Sequence, residues 1–167
     1  MGKKKPESAE EILGGCFVLQ ILVSLILTVV LLIFGKNLLL AFGASENTLS
    51  YALDYMRIYA FGTLFVQVTL GMNAFITAQG FTTVSMISVL IGAICNITLD
   101  PVFIFGLNMG VKGAALATIL SQAVSCVWVV VFLCGKKTLI HIRKKYLKLN
   151  PSVVLPCVAL GLAAFIM

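Results

Sequence analysis

The sequence predicts an all-α fold: a polytopic bundle of four complete transmembrane helices plus the start of a fifth. Three observations predict it. Of 167 residues, 60% are hydrophobic and 11% are charged, against roughly 45–50% and 25% in a soluble domain. Mean hydropathy is +1.10. Charge-free runs recur at the length of about 20 residues that a helix needs to cross a bilayer core. A chain this small cannot hide so much apolar surface in a soluble core. A soluble enzyme, a disordered tail and a nucleic-acid-binding domain are excluded on that ground, and no nucleic-acid partner is expected.

The elements follow in order. Residues 1–12 combine Lys3, Lys4 and Lys5 with Glu7, Glu10 and Glu11 and read as a cytoplasmic segment. They do not read as a secretory signal. Acidic residues follow the lysines, the next apolar run exceeds an h-region of about 7–15 residues, and no small-residue cleavage site ends it. Ile12 to Gly35 is charge-free and gives a first span at about 13–42. Ile58 to Leu99 is long enough for two spans. The polar, Gly-containing run Ala78-Gln79-Gly80-Phe81-Thr82-Thr83 breaks it, which gives spans at about 52–78 and 83–106. Gly113 to Gly135 supplies a fourth, at about 113–134. Helix is the expected form, because unpaired backbone polar groups are too costly in hydrocarbon.

Residues 135–151 read as a basic cytoplasmic linker. Leu139, Ile140 and Ile142 are interspersed there with Lys and Arg, a pattern that fits an amphipathic helix lying on the membrane surface. His141 reads as a solvated surface residue, with a pH sensor as the alternative. Pro151 opens the last segment, 152–167, which reads as the truncated start of the next span.

The net charge of +6 arises from 12 Lys+Arg and 6 Asp+Glu. The basic residues are grouped, so they read as topology signals and contacts to anionic lipid head groups. Lys3, Lys4 and Lys5 precede the first span, and Lys136, Lys137, Arg143, Lys144, Lys145 and Lys148 follow the fourth. Four spans put both groups on one side, which the positive-inside rule makes cytoplasmic. The chain is then expected in the cytoplasmic membrane, with residues 43–47 and 107–112 as the outer loops. Asp54 and Arg57, spaced i,i+3, share a helix face and form a staple at the outer interface.

Cys16, Cys95, Cys126, Cys134 and Cys157 form no CxxC pair, and no His lies near enough for a zinc site. They read as small apolar packing residues. No cofactor is expected.

Asp100 is the residue that asks for an explanation. It lies in the third span with no Lys or Arg within eleven residues on either side. A carboxylate at the bilayer centre costs about 2.5–3.5 kcal/mol on insertion scales, and the default reading is an ion or proton site. Asn96, four residues earlier, projects from the same face. Pro101 has no N–H, so the carbonyl of Ile97 loses its helical partner. A carboxylate, an amide oxygen and a freed carbonyl suit a hard cation such as Na⁺. A proton carrier would instead use the carboxylate alone. The structural alternative is a hydrogen-bonded Asp that fixes helix packing. In the fourth span, Gly113, Ala117 and Ser121 make a stripe of small residues that permits close helix contact. Thr118 lies beside it and is placed to complete a set with Asn96 and Asp100, although a membrane Thr also bonds back to its own helix. Gln67, Asn73 and Gln122 are candidates to line a polar cavity, with Gln79 a further polar residue; helix–helix hydrogen bonding is the alternative for all four.

The run Asn96-Ile97-Thr98-Leu99-Asp100-Pro101-Val102-Phe103-Ile104-Phe105-Gly106, then Met109-Gly110-Val111-Lys112-Gly113-Ala114-Ala115-Leu116-Ala117-Thr118, closely resembles the multidrug and toxic compound extrusion (MATE) family. Tyr51 to Arg57, Gly71-Met72-Asn73-Ala74-Phe75, Ala78-Gln79-Gly80 and Gly161-Leu162 resemble it on either side. The resemblance covers essentially the whole chain. It implies a secondary transporter that exchanges drug-like, often cationic, compounds for Na⁺ or H⁺. It also implies a fold of twelve helices in two lobes, of which this chain is helices three to six, the inter-lobe linker and part of helix seven. The chain is therefore expected to be a fragment, with helices one and two and the second lobe as its missing partners. The family's first-lobe cation site, carried over, falls on Asn96, Asp100 and Thr118; the family's Asp on helix one has no counterpart here. Competing readings are a non-transporting structural or assembly subunit and a relative of the lipid and polysaccharide flippases.

Overall fold

The computed structural model describes residues 6–135, 138–142, 145, 155 and 158. Four long helices carry the fold: α1 (Pro6–Ala41), α2 (Glu46–Ala78), α3 (Thr82–Pro101) and α4 (Val111–Cys134). A π-helical segment, Val102–Gly106, extends α3. All four are long and apolar enough to cross a membrane, and the chain is an integral membrane protein. At 1.5 Å per residue, α1 and α2 reach about 54 and 50 Å, well beyond a 30 Å hydrocarbon core.

Two of the turns share one device. Beyond α1, Gly43 N–H donates to the Leu40 carbonyl at 3.0 Å and Ala44 N–H to the Leu39 carbonyl at 3.0 Å. Beyond α2, Gly80 N–H donates to Thr77 at 2.9 Å and Phe81 N–H to Ile76 at 3.2 Å. Both are Schellman caps, which need a residue in the left-handed region just past the helix. Gly43 (φ +88°) and Gly80 (φ +90°) supply it. The break expected at 78–83 is therefore a helix cap followed at once by α3.

The helices lie in the order α1, α2, α4, α3. α2 is central and packs on both α1 and α4, while α3 leans mainly on α4. The core joins Leu13, Val68, Met72, Ile76, Cys126, Val129, Leu133 and Ile140. Val68, Met72 and Ile76 recur every four residues on one face of α2, and Val129 and Leu133 do so on α4. From Leu22 to Phe34, α1 presents a nearly continuous exposed apolar surface, as a lipid- or protein-covered helix does.

Several local expectations differ from the structure. α1 begins at Pro6 rather than at about 13, so Glu7, Glu10 and Glu11 are helical. A Pro in the first turn costs no hydrogen bond, and Glu10 is buried within the fold. α2 begins at Glu46 rather than at about 52. Asp54 pairs with Lys112 Nζ at 3.3 Å instead of with Arg57, because the loop before α4 brings Lys112 to that end of α2. Residues 138–142 are not an amphipathic helix. Ile140 turns into the core, and His141, expected as a solvated surface residue, is half-buried against Glu10, with Nδ1 3.6 Å from Oε1. Residues 1–5, most of the linker and nearly all of the segment 152–167 lie outside the described residues.

Candidate functional site: a polar seam between α3 and α4

Two glycines let α3 and α4 approach closely. A Cβ on Gly113 would lie 2.7 Å from the Phe103 carbonyl oxygen. A Cβ on Gly92 would lie 2.6 Å from Ser125 Oγ. The small-residue stripe of α4 runs through this contact, with Gly113, Ala117, Ser121 and Ser125 all buried. Asn96 and Thr118 sit between the two glycine contacts, one with the Phe103 backbone and one with the Ser125 side chain, and these set their separation.

The seam brings the three candidate residues together. Asn96 Nδ2 donates to Asp100 Oδ1 at 3.3 Å and to Thr118 Oγ1 at 3.4 Å. Thr118 Oγ1 donates in turn to the Ala114 carbonyl at 2.9 Å, the back-bond within its own helix. All three side chains are half-buried. The bonds from Asn96 are long for N–H···O, whose usual range is about 2.7–3.2 Å, so the amide is held without being tightly committed. Pro101 gives no N–H to the Ile97 carbonyl, and the next N–H, that of Val102, goes to Leu99. The chain then widens into the π-helical segment, where Leu107 N–H donates to the Val102 carbonyl at 3.0 Å. Such insertions often accompany functional sites. The seam thus gathers one carboxylate, one amide and one hydroxyl. Among the described residues no three His, Cys, Asp or Glu side chains gather, and within the set Asp100 is the one carboxylate. Its donors are hard oxygens.

Asn96 and Thr118 open onto a cleft of about 260 Å³ between α2, α3 and α4. Its polar lining adds Thr69, Asn73, Ser121, Gln122 and Ser125, and its apolar lining includes Leu70 and Val89. Asn73 and Gln122 thus line the cleft. Gln67 does not line the cleft; it lies half-buried elsewhere on α2. Asp100 is not in the lining either. It lies one turn beyond Asn96, which links it to the cleft.

Sequence reasoning missed a polar hub beside this cleft. Asn73 Nδ2 donates to Ser88 Oγ at 2.8 Å, and the single Ser88 hydroxyl proton is shared between the Ser85 carbonyl at 2.7 Å and Asn73 Oδ1 at 3.0 Å. Ser125 Oγ donates to the Ser88 carbonyl at 2.8 Å. One buried serine therefore joins α2, α3 and α4. Ser125 was legible as the next member of the four-residue spacing Gly113, Ala117, Ser121; Ser88 carried no such signal. Gln20 was missed as well. Its amide fills the space over Gly71, and its Oε1 is buried.

The MatE family model matches residues 1–102. The multidrug export protein MepA of Staphylococcus haemolyticus (strain JCSC1435) is 32% identical over 148 residues, which cover 89% of this chain and 33% of that protein. MepA of Staphylococcus aureus (strain NCTC 8325 / PS 47) is 30% identical over 165 residues, covering 99% and 36%. The chain spans about a third of the length of the curated relatives it matches. Among solved structures, an inward-facing multidrug resistance MATE family transporter of the MOP superfamily superposes with a TM-score of 0.80 at 25% identity, over 87% of this chain and 33% of that one. An outward-facing structure of such a transporter gives 0.81 at 26% identity, over 89% and 33%. The family match covers more than half of the chain and the relatives and solved structures agree with it, so the chain belongs to the MatE, or multidrug and toxic compound extrusion, family.

Proposed function

We propose that this chain supplies part of one lobe of a cation-coupled multidrug exporter, and that its share of the work is to hold the coupling cation. The observation that carries this reading is the bridge Asn96 makes between Asp100 and Thr118 at the mouth of the cleft. A carboxylate with few compensating charges in a membrane helix is retained for function. Its neighbours here are oxygen donors that suit Na⁺, and the same carboxylate serves H⁺. Binding a cation at Asp100 would draw the Asn96 oxygen toward it and weaken the two bonds of the amide nitrogen. The change would reach the cleft through Thr118. A drug-like molecule in that cleft would then meet a different set of polar groups with and without the cation, which is the differential contact that coupling requires. Among the relatives, those named as multidrug export proteins support the small-molecule substrate.

The orientation follows from the Lys and Arg grouping. The inner face carries residues 1–10 and 135–151, and the outer face carries the Asp54–Lys112 pair.

A chimera tests the reading. The chain replaces the matched third of Staphylococcus aureus MepA, and drug efflux is followed in inverted vesicles with Na⁺ varied at fixed pH and with pH varied at fixed Na⁺. Efflux that responds to one cation and is abolished by Asp100→Asn supports the proposal. Efflux that ignores both cations refutes it and favours uncoupled export. A chimera that inserts normally and exports nothing favours a structural subunit.

A further inference from the structure

We propose that residues 138–142 form a strap that fastens α1 to α4 across the inner end of the bundle, with Gln79 as the positioning residue that holds it. α1 needs such a fastening. Among the described residues its backbone comes close to that of α2 and not to that of α3 or α4. The strap meets all three neighbouring elements. Gln79, the C-cap of α2, is 8% exposed, and its Oε1 accepts two consecutive backbone N–H groups, Leu139 at 2.9 Å and Ile140 at 3.1 Å. Its Nε2 donates to the Phe75 carbonyl at 3.2 Å, which fixes the amide head in orientation. Ile140 is buried in the same core cluster as Leu13, Ile76 and Leu133. Glu10, 4% exposed, accepts the His141 N–H at 3.4 Å. Ile142 N–H returns to the Leu133 carbonyl at 3.3 Å.

This pattern differs from that of a loose linker. A backbone without regular structure must find hydrogen-bond partners when it is buried. Here the partners come from a Gln and a Glu on two other helices. Gln79 completes the α2 stripe Met72, Ile76, Gln79, so the same face that builds the core also receives the strap. The consequence is mechanical: α1, α2 and α4 move as one body. The near-equal likeness to inward-facing and outward-facing transporters fits a bundle that keeps its shape as access changes.

Hydrogen exchange on the whole chain in nanodiscs tests it. In the unsubstituted protein, Leu139 and Ile140 amides should be protected, and in rising denaturant they should open in the same step as residues 10–20 of α1. Gln79→Leu removes the acceptor and keeps the bulk. It should speed exchange at Leu139 and Ile140 by roughly tenfold, with residues 10–20 of α1 following and residues 88–96 of α3 unchanged. Free exchange at Leu139 and Ile140 in the unsubstituted protein overturns the proposal. So does release of the strap with α1 unaffected. If Gln79→Leu fails to fold, the denaturant series on the unsubstituted protein decides: separate openings refute the strap and a shared opening supports it.

Discussion

Gly113 of α4 lies against the backbone carbonyl of Phe103, so close that a single methyl group would stand 2.7 Å from the oxygen. The π-helical widening after Pro101 puts Phe103 there, and the missing side chain lets α4 start beside it. The separation of Asn96 from Thr118 depends on this contact, which ties the candidate site to a backbone fit rather than to side-chain choice.

Gly113→Ala should therefore cost more than Gly92→Ala. At Gly113 the obstacle is backbone and α4 must shift, at the roughly 1–3 kcal/mol typical of overpacking. At Gly92 the obstacle is Ser125 Oγ, which can rotate and lose its bond to the Ser88 carbonyl, worth about 1 kcal/mol. Thermal unfolding in detergent checks the order. Equal or reversed Tm losses would show that the α3–α4 seam does not rest on Gly113.

The Asn73–Ser88 pair should be coupled. Removing either partner strands a buried polar group on the other side, so the single variants Asn73→Ala and Ser88→Ala overstate the worth of the contact. A double-mutant cycle on unfolding should give a coupling of roughly 0.5–2 kcal/mol, the range seen for hydrogen bonds between membrane helices. Additive losses would mean that the two residues act independently despite their 2.8 Å contact.

Much of this architecture was legible in the sequence, for one physical reason. Hydrocarbon demands long apolar helices, so run length alone located four of them, and Gly80 marked the break within the long run. The local errors share a different cause. The start of α1 at Pro6 depends on Glu10 finding a partner beyond α4, a contact 131 residues away that no local pattern encodes. Asp54 and Arg57 have helical spacing for a pair, yet Lys112 arrives from another element. For the seam, Asp100 drew attention by its cost, and Asn96 and Thr118 by spacing. Ser88 is a single hydroxyl on an otherwise ordinary helix. Its role exists only where three helices meet.

Orientation is open to a direct measurement. In a background with Cys16, Cys95, Cys126, Cys134 and Cys157 replaced, single cysteines are placed at Glu46 and Leu139, both exposed and at opposite ends of the bundle. A membrane-impermeant thiol reagent added to intact cells should label the probe at 46 and miss the probe at 139. Permeabilisation should expose 139. The reverse pattern would place the basic segment outside and overturn the positive-inside assignment.

The sharpest prediction concerns Asp100 and its two neighbours, measured in the chimera with MepA. Asp100→Asn keeps the shape and leaves an oxygen to accept from Asn96 Nδ2, but it removes the charge. If Asp100 only braces the helices, an amide at this half-buried position should serve nearly as well. If it holds the coupling cation, efflux should fall by at least tenfold, because Asp100 is the one carboxylate of the Asn96–Asp100–Thr118 set. Insertion should stay normal or improve, since an uncharged side chain costs less in the bilayer. Asn96→Ala and Thr118→Ala each remove a neutral group and leave the charge, so each should weaken coupling by less. Of these two, Asn96→Ala should do more, because it breaks both bonds of the bridge, at 3.3 and 3.4 Å. Thr118→Ala breaks one and leaves Asn96 on Asp100. The cation dependence of efflux should therefore shift most for Asp100→Asn, less for Asn96→Ala and least for Thr118→Ala. Efflux by Asp100→Asn at the unsubstituted rate and with the same cation dependence would remove Asp100 from the mechanism and leave it as a packing residue.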